Sequence, residues 1–325
     1  MSIQTDFTYG LFSETPGSED QLDYQLDYEK RRIVDFAIML GRPLLVEGEA
    51  GCGKTQLAYA IARQLLNAQP VLATVRSTSR ANDLLYRFDA VRRLQDSQLK
   101  DPVRAENASF AYPYVSLQPL GNAIFDPAPS VVLIDEVDKA DPDFANDLLH
   151  VLDQFEFQID EIPISESARS LSHHKHDRTV PGNGARPIIV FTSNRERPLP
   201  KPFLRRCIYL ELTFPEDPEK LVKIVRNNLK KAPLASGGRQ GLEHISETVI
   251  ESTVRSFLKV RKQAEKNKAY KLPATAELID WVHVLHWDGA SPAQIESAKP
   301  PHWEILFSTA RDIHEHARTA DQSSD

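Results

Sequence analysis

Residues 43–55 read PLLVEGEAGCGKT. A short apolar run from Pro43 leads into Gly48, Gly51 and Gly53, and Leu57, Ile61 and Leu65 then recur every four residues. That order predicts a strand, a tight loop and a helix with one buried stripe. Glycine lets a backbone turn sharply and removes the Cβ atoms that would keep a ligand away from the N–H groups. The eight residues Gly48, Glu49, Ala50, Gly51, Cys52, Gly53, Lys54 and Thr55 have the spacing GxxxxGK[ST] of a loop that cradles phosphates. The helix start adds its positive dipole end. In this arrangement Lys54 reaches the β and γ phosphates, and the Thr55 hydroxyl is a Mg²⁺ ligand.

About eighty residues further on the chain reads VVLIDEVDK, 131–139. Val131 to Ile134 are apolar without alternation, as a central parallel strand covered on both faces requires. Ligands bind at the carboxyl ends of such strands. There Asp135 is the expected second anchor for Mg²⁺, and Glu136 the base that orients and deprotonates an attacking water. Asp138 and Lys139 read as a surface ion pair. A third apolar strand, in ARPIIVFTSNRERPL at 185–199, ends in Thr192, Ser193 and Asn194. A polar group at that height can meet both phosphate and water, and Asn194 is the residue assigned to that sensing role.

The set GEAGCGKT, LLYRFDAV (84–91), VVLIDEVDKAD (131–141), FTSNRERPLP (191–200) and FLRRC (203–207) resembles the MoxR-type branch of the AAA+ ATPases, over roughly residues 25–290. The resemblance implies an ATP-dependent remodelling ATPase that cycles between ATP and ADP with Mg²⁺. It implies a ring, usually a hexamer, acting on a client protein, and often a partner carrying a metal-dependent adhesion domain. It also implies an arginine delivered in trans to the neighbouring site, matched here by Arg206 with Arg205 beside it as the alternative. A guanidinium supplied this way stabilises charge on the transferring phosphoryl group and makes hydrolysis depend on assembly. Lids of the family usually carry a second sensing arginine near the start of a late helix. The matching stretch, PATAELIDWVHVL at 273–285, has Ala276 there, leaving Lys271 or Arg311 as the expected substitutes. Two other readings remain open at this point: a nucleotide-dependent assembly switch or scaffold with little turnover, and a restriction-type AAA+ NTPase motor acting on nucleic acid.

With 325 residues and 41% hydrophobic content the chain has room for about two domains with real cores. A net charge of −7 argues against a broad nucleic-acid surface, which is usually basic. The basic stretches 221–231 and 257–271 are expected to be solvated helix faces. No run of 18 apolar residues predicts a membrane span, and MSIQTDFTYG lacks the pattern of a secretory leader. Two cysteines, Cys52 and Cys207, are too few for a disulfide framework, so a reducing, cytoplasmic setting is expected.

The expected organisation is a flexible acidic arm at 1–25, an α/β nucleotide-binding domain at 26–215, an all-helical lid at 216–318 and a disordered tail at 319–325. Strands are expected at 43–47, 71–77, 131–135, 187–192 and 207–213, giving a five-stranded parallel sheet. Helices are expected at 28–40 and 141–154, the latter capped by Asp141 with Pro142 at its first position. In the lid they fall at 217–231, 245–266, 275–287 and 302–318. FEFQIDEI at 155–162 alternates as one strand of a hairpin, followed by a long loop, 163–186, whose His173, His174 and His176 lack a second ligand group at a defined separation. Phe110, Tyr112 and Tyr114 either grip a partner or anchor their own insertion.

Overall fold

A computed structural model describes residues 12–14, 24, 26–99, 101–163, 178–182, 184–231 and 245–322. In chain order the elements are α1 (Tyr28–Met39), β1 (Leu44–Gly48), α2 (Lys54–Leu66), β2 (Val71–Thr74), α3 (Asn82–Leu85), β3 (Tyr86–Phe88), α4 (Ala90–Gln98), α5 (Pro102–Ala108), β4 (Val115–Leu117), α6 (Pro119–Phe125), β5 (Val131–Asp135), α7 (Pro142–Gln154), β6 (Glu156–Gln158), β7 (Thr179–Pro181), β8 (Ile188–Ser193), α8 (Lys201–Arg206), β9 (Ile208–Leu212), α9 (Pro218–Lys231), α10 (Glu247–Lys266), α11 (Thr275–Trp287), α12 (Pro292–Ile295) and α13 (Ala310–Gln322). Two compact units divide them. One comprises Leu26–Gly48 and Lys54–Glu211 with the Phe12–Glu14 turn, and the other comprises Glu49–Gly53 and the chain from Leu212 onward.

The first unit is built on a five-stranded parallel sheet in the order β2-β5-β8-β1-β9. Apolar β5 and β8 are central, and β8 is buried along its whole length. Their register sets Ile134 beside Phe191, while Glu47 at the end of β1 lies beside Ser193. The polar residues that follow each apolar run therefore collect at one sheet edge, the edge where β1 opens into the glycine loop. Leu57 and Ile61 of α2 are fully buried, which fixes the helix that begins at Lys54. Helix α7 starts as expected, with the Asp141 side chain accepting from the Asp143 N–H at 3.0 Å and Pro142 in the first turn.

Within the segment expected as a flexible arm, Phe12–Glu14 form a 3-10 turn. Phe12 is fully buried and its N–H donates to Asp35 of α1 at 2.6 Å. The hairpin expected from FEFQIDEI is the antiparallel pair β6–β7. His173, His174 and His176 lie outside the described residues.

From α9 onward the second unit is helical and packs around Leu221, Val254, Phe257, Leu278, Trp281 and Leu285. Trp281 also donates its indole N–H to the Pro301 carbonyl at 2.9 Å. The single helix expected over 302–318 is instead a 3-10 turn, Trp303–Leu306, and a separate α13. His302 is left-handed, and the Thr309 hydroxyl accepts from the Asp312 N–H at 3.1 Å, starting a new helix. The hydroxyl cap explains the break. Among the described residues no helix is long and apolar enough to cross a membrane.

Candidate active site

The glycine loop has the backbone its sequence demands. Gly51 and Gly53 have φ of 79° and 96°, a region that a side chain makes costly. Lys54, at the first position of α2, is nearly buried, and its ammonium donates to the Gly48 carbonyl at 2.8 Å. Thr55 follows, its hydroxyl within 3.2 and 3.4 Å of the two carboxylate oxygens of Asp135. A small hydroxyl and a carboxylate converging from α2 and β5 make an oxygen donor set that suits Mg²⁺.

The end of β5 shows how adjacent carboxylates serve one site. In a continuous strand Asp135 and Glu136 would face opposite sides of the sheet. Glu136 instead takes the left-handed conformation, φ 59° and ψ 49°, which breaks the alternation at a cost of roughly 1–2 kcal/mol for a residue with a Cβ. Thr192, fully buried at the end of β8, holds both neighbours. Its hydroxyl donates to Asp135 at 2.5 Å and accepts the Glu136 N–H at 2.8 Å. One side chain thereby fixes the Asp135 carboxylate and the Glu136 backbone.

Asn194, two residues beyond Thr192, donates its side-chain amide to one carboxylate oxygen of Glu136 at 3.3 Å. The expected base and the expected sensor are thus brought together. Asp138 and Lys139 are not the surface pair expected of them. Asp138 is 1% exposed, and one of its oxygens accepts the N–H groups of Asn194 at 3.0 Å and Glu196 at 2.9 Å. Its other oxygen has no hydrogen-bond partner among the described residues. Asp138 therefore pins the turn that carries Asn194, a turn that also contains left-handed Arg195. Lys139 turns back to Glu136, its ammonium 2.6 Å from the second carboxylate oxygen. That hydrogen bond holds the lysine's proton more tightly than usual. Beyond it, Arg195 ties three strand ends together, donating to Glu47 at 3.1 Å, to Tyr209 at 2.7 Å and to Glu211 at 2.6 Å.

This constellation has a match among known families. Residues 43–207, more than half of the 325, match the model of the AAA domain (dynein-related subfamily). The chain belongs to that family. This AAA chain is 24% identical to Lon protease 1 of Borreliella burgdorferi over 276 residues, covering 80% of the chain and 30% of that protein. It is 25% identical to the peroxisomal Lon protease homolog 2 of Zea mays over 267 residues, covering 80% and 27%. It spans less than a third of the length of these curated relatives. Among solved structures it is similar to closed-state Hsp104 with ATPγS and FITC casein, with a TM-score of 0.45 and 16% identity, over 84% of this chain and 47% of that one.

The two arginines of the AAA chain's FLRRC stretch form no bond with the Asp135–Glu136–Asn194 cluster among the described residues. They end α8, before edge strand β9. Arg206 is bidentate to Asp153 at the end of α7, at 2.7 and 2.5 Å. The pairing lowers the proton affinity of the Asp153 carboxyl. Arg205 is exposed. Arg42, just before β1, donates to the carbonyls of Arg205, Arg206 and Cys207, which closes the open C-terminal end of α8. Phe203 of α8 packs edge-on against Phe191 of β8 with ring centres 4.9 Å apart. Burial raises the Cys207 thiol to about 12, so it stays protonated.

In the second unit Lys271 and Arg311, the expected substitutes for a lid arginine, each lie beside a carboxylate. Lys271 is committed to Glu277 at 2.5 Å, and Arg311 is 81% exposed beside Glu315. Arg261, in the last third of α10, reaches Glu49 of the glycine loop at 2.7 Å while its guanidinium lies 3.9 Å over the Phe214 ring. The spacing that pointed to Ala276 searches a helix start; Arg261 comes from a different helix, so no local signal marks it. Thr192 was more legible: it stands in the same polar triplet as Asn194. The aromatics of the insertion anchor it, since Tyr114 is buried and donates to buried Asp96 at 3.0 Å.

Proposed function

We propose that this chain is a Mg²⁺-dependent ATPase of the MoxR-like AAA+ type, working as an oligomeric ring, hexameric on the family resemblance, to remodel a partner protein. The observation that carries the reading is Glu136, held by Asn194 beside an Asp135–Thr55 pair at the mouth of a glycine loop. In this reading Thr55 and Asp135 hold Mg²⁺. When bound, the ion neutralises charge on the β and γ phosphates. The loop N–H groups and Lys54 bind the phosphates, with Lys54 exchanging the Gly48 carbonyl for them. Glu136 takes a proton from the attacking water, and Asn194 orients water and base together. Arg206, with Arg205 as the alternative, serves the neighbouring subunit's site.

The Lon relatives are named as proteases, but the chain covers less than a third of their length, so protease activity is not carried over to it. The client, and an adhesion-domain partner of the kind the resemblance implies, belong to the same proposal. So does a cytoplasmic setting. An assembly switch with little turnover is the second reading, favoured by Arg206 being held by its own subunit's Asp153.

Lys54→Ala and Glu136→Gln test the main reading. The first is expected to abolish ATP binding, and the second to bind ATP and retain it unhydrolysed. Turnover persisting in Glu136→Gln would remove the base from its role.

A further inference from the structure

A loop that binds phosphates attracts anions by construction, because its N–H groups and a helix start converge on the ligand. A carboxylate among the same few residues opposes that attraction. Glu49 is such a carboxylate, one residue after Gly48, with its side chain 54% exposed. Facing it is Arg261, only 12% exposed, whose guanidinium donates to the Glu49 carboxylate at 2.7 Å. This guanidinium is held on further sides: a second nitrogen donates to the Pro273 carbonyl, and its face lies over the Phe214 ring. Two residues beyond Pro273, the Thr275 hydroxyl donates to the Gly51 carbonyl at 2.5 Å. Within the loop the Cys52 N–H donates to the Glu49 carbonyl at 3.3 Å. Glu49 is therefore fixed by side chain and backbone, and its charge stays beside the loop together with the cation that meets it.

We propose that Arg261 is a positioning residue that acts on the nucleotide only through Glu49: it cancels the carboxylate's charge so that the loop can take a polyphosphate. The inference rests on the loop binding ATP, as proposed above, and deepens that reading by naming the group that sets the loop's charge. Arg261 already spends two nitrogens and one face on Glu49, Pro273 and Phe214, which fixes it within its own unit. A guanidinium suits this task, since its planar fork can serve a carboxylate and a carbonyl at once while it stacks on an aromatic ring. Glu49 is half in water, so the penalty for losing the cation is modest, about three- to fivefold in nucleotide affinity, and it shrinks as salt rises.

The test is equilibrium binding of ADP and of the slowly hydrolysed analogue ATPγS, each with Mg²⁺, to the full chain at low and at high salt. Wild type is compared with Arg261→Met, Glu49→Gln, the double variant of the two, and Lys54→Ala. Arg261→Met is expected to weaken both ligands about three- to fivefold at low salt and less at high salt. Glu49→Gln is expected to bind both more tightly than wild type, because the guanidinium then stands without its carboxylate. The double variant is expected to return to within about twofold of wild type, although it lacks the Pro273 hydrogen bond and the ring contact just as Arg261→Met does. Neither a purely structural role nor a direct contact with the phosphates produces that rescue. A double variant as weak as Arg261→Met, or a Glu49→Gln that binds no more tightly than wild type, overturns the inference; if Lys54→Ala has lost binding, the reading of the loop stands. Binding that survives in Lys54→Ala overturns the reading of the loop, and the inference with it.

Discussion

The carboxyl ends of β5 and β8 and the C-terminal end of α8 lie in the same unit, yet they are held in opposite ways. At β5 and β8 every candidate group is bound to another member of the same site: Thr55 to Asp135, Asp135 to Thr192, Thr192 to Glu136, Glu136 to Asn194. At α8 the candidate arginine is bound away from that site, to Asp153, and the helix end is closed by Arg42. The first region is tied together by its own side chains. The second is half-buried and tied to its own helix ends, so Arg206 acts on another molecule only if it leaves Asp153.

The largest break in this contrast is expected from the arginines. If Arg206 acts in trans, Arg206→Ala lowers kcat by about 10³ with ATP affinity kept, and Arg205→Ala has little effect; the reverse ranking would move the role to Arg205. Asp153→Asn separates holding from acting. It frees Arg206 without removing it, so turnover is kept while the protein concentration giving half-maximal turnover changes, which an assay across dilutions reads directly.

The next effect belongs to Asp138. Asp138→Ala leaves the part-buried N–H groups of Asn194 and Glu196 without their acceptor, at a total cost of about 1–3 kcal/mol, since water reaches part of the turn. Lower thermal stability and a fall in kcat larger than any change in KM are expected, because the turn that sets Asn194 is loosened. A variant as stable and active as wild type would show that the carboxylate positions nothing.

The smallest effect is in the second unit. His316 is packed against Trp303 and Phe307, with ring centres 4.7 and 5.2 Å away, and burial lowers its pKa below the ordinary 6.5. The folded state therefore disfavours the charged form. Its contribution to stability is present above pH 6.5 and is lost as pH falls below that value, since the unfolded chain then binds the extra proton. Unfolding midpoints measured between pH 8 and pH 5 are expected to decline less in His316→Phe than in wild type.

Much of the first unit was legible because its signals are local. An unbroken apolar run ending in two carboxylates can only be a buried strand with a polar terminus, and β5 begins and ends where the pattern puts it. Glycine spacing fixed the loop, and Asp141–Pro142 fixed the start of α7. What was not legible has separate causes. Asp138 and Lys139 look like a surface pair because nothing in the sequence reveals that Glu136 turns left-handed, which buries Asp138 under the turn that carries Asn194 and directs Lys139 back to Glu136. Arg261 is fourteen residues into α10, and its approach to Glu49 depends on packing between distant segments. The break at His302 escaped because the apolar residues around it continue a helical period across a turn.

The central claim, a site completed by a neighbour's arginine, is tested most directly by mixing two inactive proteins, Glu136→Gln, which keeps Arg206, and Arg206→Ala, which keeps Glu136. Mixed at equal amounts under conditions of subunit exchange, they are predicted to regain up to about a quarter of wild-type turnover, because sites in a head-to-tail ring then pair an intact base with a neighbour's intact arginine. A mixture no more active than the sum of its parts, with mixed assemblies present by mass, would contradict the account.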